Sequence, residues 1–249
     1  MSHAWPKVHE ETYRGHLIEI IVDETPLDPR EDAAGCCLGT MVTWHRRYTL
    51  GDEQPSLSPD AWIEDLAEQA TGMNYEDADP GEAWADVQEH YIILPVALLD
   101  HSGITMYVGR GAHMCDPGGW DSGQVGWIYV SLEDVRKEYG DVSDESRARA
   151  RAALEAEVQV YDWYLRGDVY GYVVKDPDTG EVADSCWGYF GYEGDGEGSS
   201  WNYMIDEARS VIDHRIKRAR ARHADRLKGQ IRNRVPLGYR EPTSAAAAG

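Results

Sequence analysis

Phenylalanine is almost missing from this chain: one Phe stands against 15 Tyr and 9 Trp. A Phe-rich core is therefore excluded. Aromatic packing falls to rings that carry a polar handle and suit half-buried surfaces and interfaces. A plainer reading is a compositional bias, with Tyr and Trp filling an ordinary core. Cysteine is scarce as well. Cys36, Cys37, Cys115 and Cys186 form no Cys-x-x-Cys pair, and the adjacent Cys36 and Cys37 are poorly placed to bridge each other. A disulfide scaffold and a structural zinc site are disfavoured on that spacing. No long apolar run exists. The longest, residues 91–99, is far short of the ~20 needed to span a bilayer. The first residues, Met-Ser-His-Ala-Trp-Pro-Lys, lack a basic-then-apolar leader pattern. The expectation is a protein of a reducing cytoplasm without membrane attachment. Catalytic signatures are missing too: there is no Gly-x-Ser-x-Gly elbow and no His-Glu-x-x-His. No residue pattern names a cofactor, and none marks a metal site.

Basic residues are scarce relative to acidic ones over most of the chain. The net charge is −21 over 249 residues, and it is unevenly spread. Residues 209–249 hold 11 Lys/Arg against 3 Asp/Glu, a net of +8, and the preceding 208 residues carry −29. Such a body repels nucleic acid and anionic membrane while keeping the chain soluble. High-salt adaptation, mimicry of nucleic-acid charge and plain solvation all fit, with solvation the simplest. The charge boundary divides the chain into an acidic α+β domain at 1–208, a basic helical extension at 209–242 and a disordered tail at 243–249.

What is present reads as hairpins mixed with helices. His16–Val22 is a strand, and 38–50 alternates loosely as another. Ser58-Pro59-Asp60 starts a helix that Gly72 ends, with Trp62, Ile63, Leu66 and Ala70 on one face. Asp79-Pro80 starts a second helix that runs through about His90. Residues 91–108 form a hairpin about the turn Asp100-His101-Ser102-Gly103. Pro95 places its strand at an edge or at a bulge. Residues 125–130 form a strand, followed by helices from Ser131 to Gly140 and from Ser143 to Gly167. Residues 169–175 and 181–190 pair across Asp176-Pro-Asp-Thr-Gly180. A final helix, capped by Ser199 or Ser200 after the acidic 191–198 loop, reaches about Lys228. The strands 125–130, 169–174 and 182–189 are expected in the core. The class is α+β: an antiparallel sheet built from hairpins, packed with helices, plus a long basic C-terminal helix. A split into two domains near Gly140 is the alternative.

The most informative stretch is Trp120-Asp-Ser-Gly-Gln-Val-Gly-Trp-Ile-Tyr-Val130. It puts an Asp, a Ser, a Gln and two Gly before an apolar strand, where side chains are well placed to bind or react. Glycines there suit a sharp turn or a close backbone approach. With the 100–103 turn and the 38–48 segment it defines a candidate pocket of His45, Arg46, Asp100, His101, Ser102, Asp121, Ser122 and Gln124. His, Asp and Ser can make a nucleophilic triad, and His-Asp-His can hold a metal. Equally, Asp-His-Ser-Gly is ordinary turn chemistry. Trp44-His45-Arg46-Arg47-Tyr48 puts two cations between aromatics, to bind an anion or, more simply, to form an internal ion pair. His113 and Cys115 suggest a ligand pair or reactive thiol less well than a structural Cys. On the final helix, Arg215, Arg218, Arg222 and Arg226 are candidates for partner binding, or else lie on the acidic body.

Five blocks carry a resemblance. They are Leu38-Gly-Thr-Met-Val-Thr-Trp-His-Arg-Arg-Tyr-Thr-Leu-Gly-Asp52, Leu99-Asp-His-Ser-Gly-Ile-Thr105, the 120–130 stretch, Gly167-Asp-Val-Tyr-Gly-Tyr-Val173 and Asp184-Ser-Cys-Trp-Gly-Tyr-Phe190. Together they resemble a family of small acidic proteins from phage, prophage and plasmid genomes. The resemblance covers most of 15–190 and implies a setting inside a host cell, without an activity. Two functions follow as expectations. One is a non-catalytic accessory protein that binds a host or phage protein, as an acidic counter-defence decoy does, with nucleic acid reached only through the basic helix. The other is a small hydrolase or nucleotide-processing enzyme with a His/Asp-lined pocket.

Overall fold

A computed structural model describes residues 6–31, 37–75, 79–191 and 200–234. The architecture is α+β, with two antiparallel four-stranded sheets and five helices. The strands therefore divide between two sheets instead of forming the single one expected. The chain forms two compact units. Both sides of Gly140 belong to the same unit, so no division falls there.

One unit holds the described residues of 22–170 and 187–191 and is built on the sheet β3-β6-β4-β5. Its strands are β3 (Thr40–Thr43), β4 (Tyr91–Asp100), β5 (Ile104–Val108) and β6 (Ser122–Ser131). Its helices are α1 (Pro59–Thr71), α2 (Pro80–His90), α3 (Leu132–Tyr139) and α4 (Asp144–Arg166). Local chemistry sets the helix ends. The side chains of Ser58, Asp79, Ser131 and Ser143 accept first-turn N–H groups, and Gly72, Gly140 and Gly167 close α1, α3 and α4 in left-handed geometry. Alternation along β6 sends Ile128 and Val130 to one face, where Leu154, Val158 and Tyr161 of α4 pack. Trp127 and Tyr129 go to the other face, against Trp62, Ile63 and Leu66 of α1 and Ala83 and Val87 of α2. The central strands are thus covered on both sides. Pro95 lies in an interior strand, and the bulge alternative holds: the β4–β6 register shifts between Val96 and Ala97. Gly126 is the close approach that the glycine pattern implied. A Cβ there would lie 1.9 Å from the carbonyl oxygen of Val42 on β3.

Two boundaries differ from the sequence reading. β3 covers only Thr40–Thr43 of the expected 38–50, because His45 onward turns away from the ladder. β6 begins at Ser122, so Ser122 and Gln124 are strand residues and not loop residues.

The other unit takes in the described residues 6–21, 171–186 and 200–234. Its sheet has the order β1-β2-β7-β8, with β1 (Lys7–Tyr13), β2 (His16–Val22), β7 (Val169–Lys175) and β8 (Val182–Phe190). β1 was not expected from the sequence because its side chains are mostly polar or charged, with Val8 its one aliphatic residue. The turn Arg14-Gly15 was the available signal: φ values of 48° and 87° make the two-residue hairpin whose twist matches its strands. β8 is a sheet edge with Val182 and Trp187 exposed, which corrects its placement in the core. Its Val, Trp and Tyr content signals strand formation, not burial.

Helix α5 (Ser200–Arg234) runs beyond the expected Lys228. Trp201, Met204, Ile205, Ala208 and Ile212 are buried at helical spacing, and the stripe stops there. The 208/209 charge boundary lies inside this continuous helix. The 243–249 tail, the 192–198 part of the acidic loop and the capping choice at Ser199 fall outside the described residues. Among the described residues no helix is long and apolar enough to cross a membrane.

Candidate functional site

The polar constellation resolves into separate parts. Asp100 and His101 open the β4–β5 turn, where Ser102 takes a left-handed φ of 58° and serves the turn itself. The Asp100 N–H donates to the Asp121 carbonyl over 2.8 Å, which brings the 120–122 segment beside the turn. There His101 Nδ1 donates to Asp121 Oδ2 over 3.0 Å. Arg47 Nη1 lies 3.2 Å from Asp100 Oδ2. Asp100, His101 and Asp121 do meet, then, joined by Arg47. Their setting is open, with the His101 and Asp121 side chains 70% and 48% exposed.

Ser122 is committed elsewhere. Its hydroxyl donates to Asp116 Oδ2 over 2.8 Å and accepts the His113 N–H over 3.0 Å. Asp116 also accepts the Asp121 N–H over 2.9 Å. That backbone bond, followed by the Ser122 hydroxyl, holds the Asp116 carboxyl below its ordinary range. Asp116 therefore organises the 109–121 loop, a role invisible without the fold. Among the described residues neither Ser102 nor Ser122 hydrogen-bonds a His ring nitrogen, the His113 bond to Ser122 being made by the backbone N–H, so no Ser-His-Asp triad is assembled here. His45 is not part of this group. Its ring stacks on Tyr48 at 4.9 Å, and its Nδ1 accepts the N–H groups of Arg47 and Tyr48. Arg46 is exposed, and Arg47 pairs with Asp100 at the surface with 71% of its side chain exposed, so the internal ion pair expected of this segment is not what the described residues form. Among the described residues no three His, Cys, Asp or Glu side chains converge as metal ligands do. The His-Asp-His metal reading is corrected accordingly. Cys115 is exposed, and its N–H donates to His113 Nδ1 in a local turn.

Gln124 points to a different place. It lines a cleft of about 230 Å³ with Asp60, Ile63 and Glu64 of α1, Ala83 and Trp84 of α2, Arg110, and Trp127. Behind the cleft four indoles converge. Trp62 stacks on Trp127 with centroids 5.7 Å apart, Trp44 meets both edge-on at 5.6 Å, and Trp84 tilts against Trp127 at 6.3 Å. Trp44 Nε1 donates to the Leu57 carbonyl over 2.7 Å, whereas Trp127 Nε1 is buried without an acceptor among the described residues. Burial pushes the neighbouring Tyr129 phenol up to about 12. The heavy use of Trp was the sequence signal for this cluster. Its convergence depends on α1 and α2 packing on one face of β6.

The basic helix is the third candidate. Near the sheet, Arg209 grips Glu11 with two hydrogen bonds of 2.8 Å, and Asp213 pairs with Arg14 at 2.9 Å. Arg215 donates to the Ala183 carbonyl of β8 over 2.6 Å. Beyond it the helix stands clear. Arg218, Arg222 and Arg226 are exposed and reach no carboxylate among the described residues, where the one ion pair of α5 beyond Arg215 is Lys228 with Asp225 at 3.7 Å. Leu227 and Ile231, one turn apart, are 43% and 62% exposed. No protein-family model, no curated protein and no solved structure matches this chain.

Proposed function

We propose that the protein is a non-catalytic accessory protein of a mobile genetic element, acting by attachment to a partner macromolecule through the outer part of α5. The observation that carries this reading is the row Arg218, Arg222 and Arg226: exposed, without a carboxylate partner among the described residues, and on one helix face with Arg215. Residues 214–234 extend this arm by roughly 30 Å at the α-helical rise. Paired cations such as Arg209 stabilise the fold, whereas an unpaired row of one sign attracts an anionic surface. The exposed Leu227 and Ile231 favour a protein over nucleic acid, since a one-turn apolar pair suits a groove and adds nothing against phosphate. The partner is a host or phage protein with an apolar groove rimmed by carboxylates. The mobile-element setting rests on the resemblance of the 38–52 and 120–130 blocks. The hydrolase alternative is disfavoured by the openness of its central pair, with the His101 and Asp121 side chains 70% and 48% exposed.

Affinity capture from a host bacterial lysate tests this reading. Three proteins are compared: the full chain, a triple variant Arg218→Glu, Arg222→Glu, Arg226→Glu, and a double variant Leu227→Asp, Ile231→Asp. One captured protein, weakened about tenfold or more by both variants and released by about 0.5 M salt, is expected. Capture of nucleic acid that needs the arginines and not Leu227 or Ile231 replaces the protein partner by nucleic acid. A partner unaffected by either variant removes α5 from the function and leaves the acidic surface, and with it the decoy role, as the binding element.

A further inference from the structure

The cleft beside the tryptophan cluster carries chemistry that neither the fold nor the α5 arm uses. Asp60 and Glu64 are one turn apart on α1, Arg110 follows β5, and Gln124 lies on β6. None of the three charged groups makes an ion pair among the described residues, although the cleft holds both signs. Gln124 donates its Nε2–H to the Gly126 carbonyl over 3.2 Å, which leaves its side-chain carbonyl available. Trp84 and Trp127 supply the apolar wall. The Arg110 guanidinium stands 5.2 Å from the Trp84 ring centre, and one face of Trp127 is taken by Trp62. Trp127 also keeps a buried N–H without an acceptor among the described residues, a cost that a structure retains for a reason.

We infer that this cleft is a binding site for a neutral pyranose ring, as a free sugar or as the terminal unit of a glycan. The mixed lining decides the class. A simple cation meets Arg110, and a simple anion meets two carboxylates. A hydroxyl both donates and accepts, so adjacent hydroxyls satisfy Asp60 or Glu64 and Arg110 or Gln124 together. The C–H face of a sugar ring, with its slightly positive hydrogens, fits the negative face of an indole. A cleft of about 230 Å³ is smaller than the usual drug-sized pocket, which suits a single ring. The position of Arg110, over Trp84 and outside any ion pair, holds a planar donor at the mouth of the site.

Titration of the full chain with glucose, galactose, mannose and N-acetylglucosamine, followed by tryptophan fluorescence and ligand-observed NMR, tests the site. At least one sugar is expected to bind with a Kd of about millimolar. Arg110→Ala and Glu64→Gln should each weaken it about fivefold or more, and Trp84→Ala should abolish it. Arg110 is exposed, so its variant reports on binding even if Trp84→Ala unfolds. Methyl glycosides and trisaccharides separate the two sources: tighter trisaccharide binding identifies a glycan end, and equal binding a free sugar. Choline, glycine betaine and inorganic phosphate are the competing probes. Binding of any of these in place of every sugar, no response to any sugar, or sugar binding unchanged in Arg110→Ala and Glu64→Gln overturns the assignment. The α5 reading is unaffected by each of these outcomes.

Discussion

Arg30 has 3% of its side chain exposed and donates to Asp52, to Glu157 and to the Gly39 carbonyl, whereas Arg222 on α5 is exposed and touches no carboxylate among the described residues. Both belong to a chain of net charge −21. Abundant negative charge therefore does not by itself pair a cation. Geometry does. Asp52 also accepts the Met41 N–H over 2.6 Å, and Glu157 accepts the Leu38 N–H over 2.6 Å. The Arg30 network thus ties the start of β3 to α4. Burial opposes its charge, and the bonds to Asp52 and Glu157 outweigh that, so its pKa is raised. The outer α5 arginines lack such partners because the apolar stripe holding the helix to its sheet ends at Ile212. A buried charge in this molecule is structural. An exposed and unpaired one is available for binding.

The sharpest way to break this contrast is Arg30→Ala. It strands two partly buried carboxylates, and about 3 kcal/mol of stability should be lost in urea denaturation. Arg30→Lys should recover only part of it, since an ammonium cannot reproduce the forked contacts. A loss below about 1 kcal/mol, the level of an exposed pair, would put Arg30 in the same class as Arg222.

Asp162 sharpens the buried side. It is 3% exposed and accepts the Met106 N–H over 2.8 Å. Burial raises its pKa, opposed by the Met106 N–H and Arg166. The folded state then binds this proton more tightly than the unfolded state, so the contribution of Asp162 to stability falls as pH rises from near 3.8 through the raised folded value, and is level above it. Urea midpoints measured from pH 4 to pH 7 should show the Asp162→Asn variant gaining on the parent chain as pH rises, because Asn keeps an acceptor for Met106 and carries no charge. The reverse slope would mean that Arg166 and not burial governs this group.

Smaller effects are expected on the exposed side. Deleting 214–249 should lower the urea midpoint only slightly at low and high salt, since the buried α5 residues end at Ile212 and the Arg14–Asp213 pair is retained, while the Arg215–Ala183 bond and the half-buried Ile216 are lost. Unfolding of the truncated chain at every ionic strength would make the arm a core element. Least of all, Arg47→Ala removes a pair whose cation is 71% exposed and should leave Tm unchanged. A clear drop would show that the Asp100–Asp121 corner is a structural network after all.

The ends of α1 to α4 and the α+β class could be read from the sequence alone. Ser58, Ser131, Ser143, Gly72, Gly140 and Gly167 act on groups within a few residues of themselves, so their effect is readable in order along the chain. The turn at 100–103 and the β7–β8 hairpin are legible for the same reason. The candidate site was only partly legible. Asp100, His101 and Asp121 came together as expected, but Ser122 was taken by Asp116, His45 by its own loop, and Gln124 by a tryptophan cleft. These outcomes follow from how the elements pack in three dimensions. Sheet order brings β3 and β4 to either side of β6, and alternation in β6 sends Trp127 toward α1 and α2. Those partners lie tens of residues apart in sequence, and no local propensity encodes which of them meet. The same limit applies to charge. Composition placed the basic residues on one helix, and the end of its buried stripe decided which of them remained unpaired.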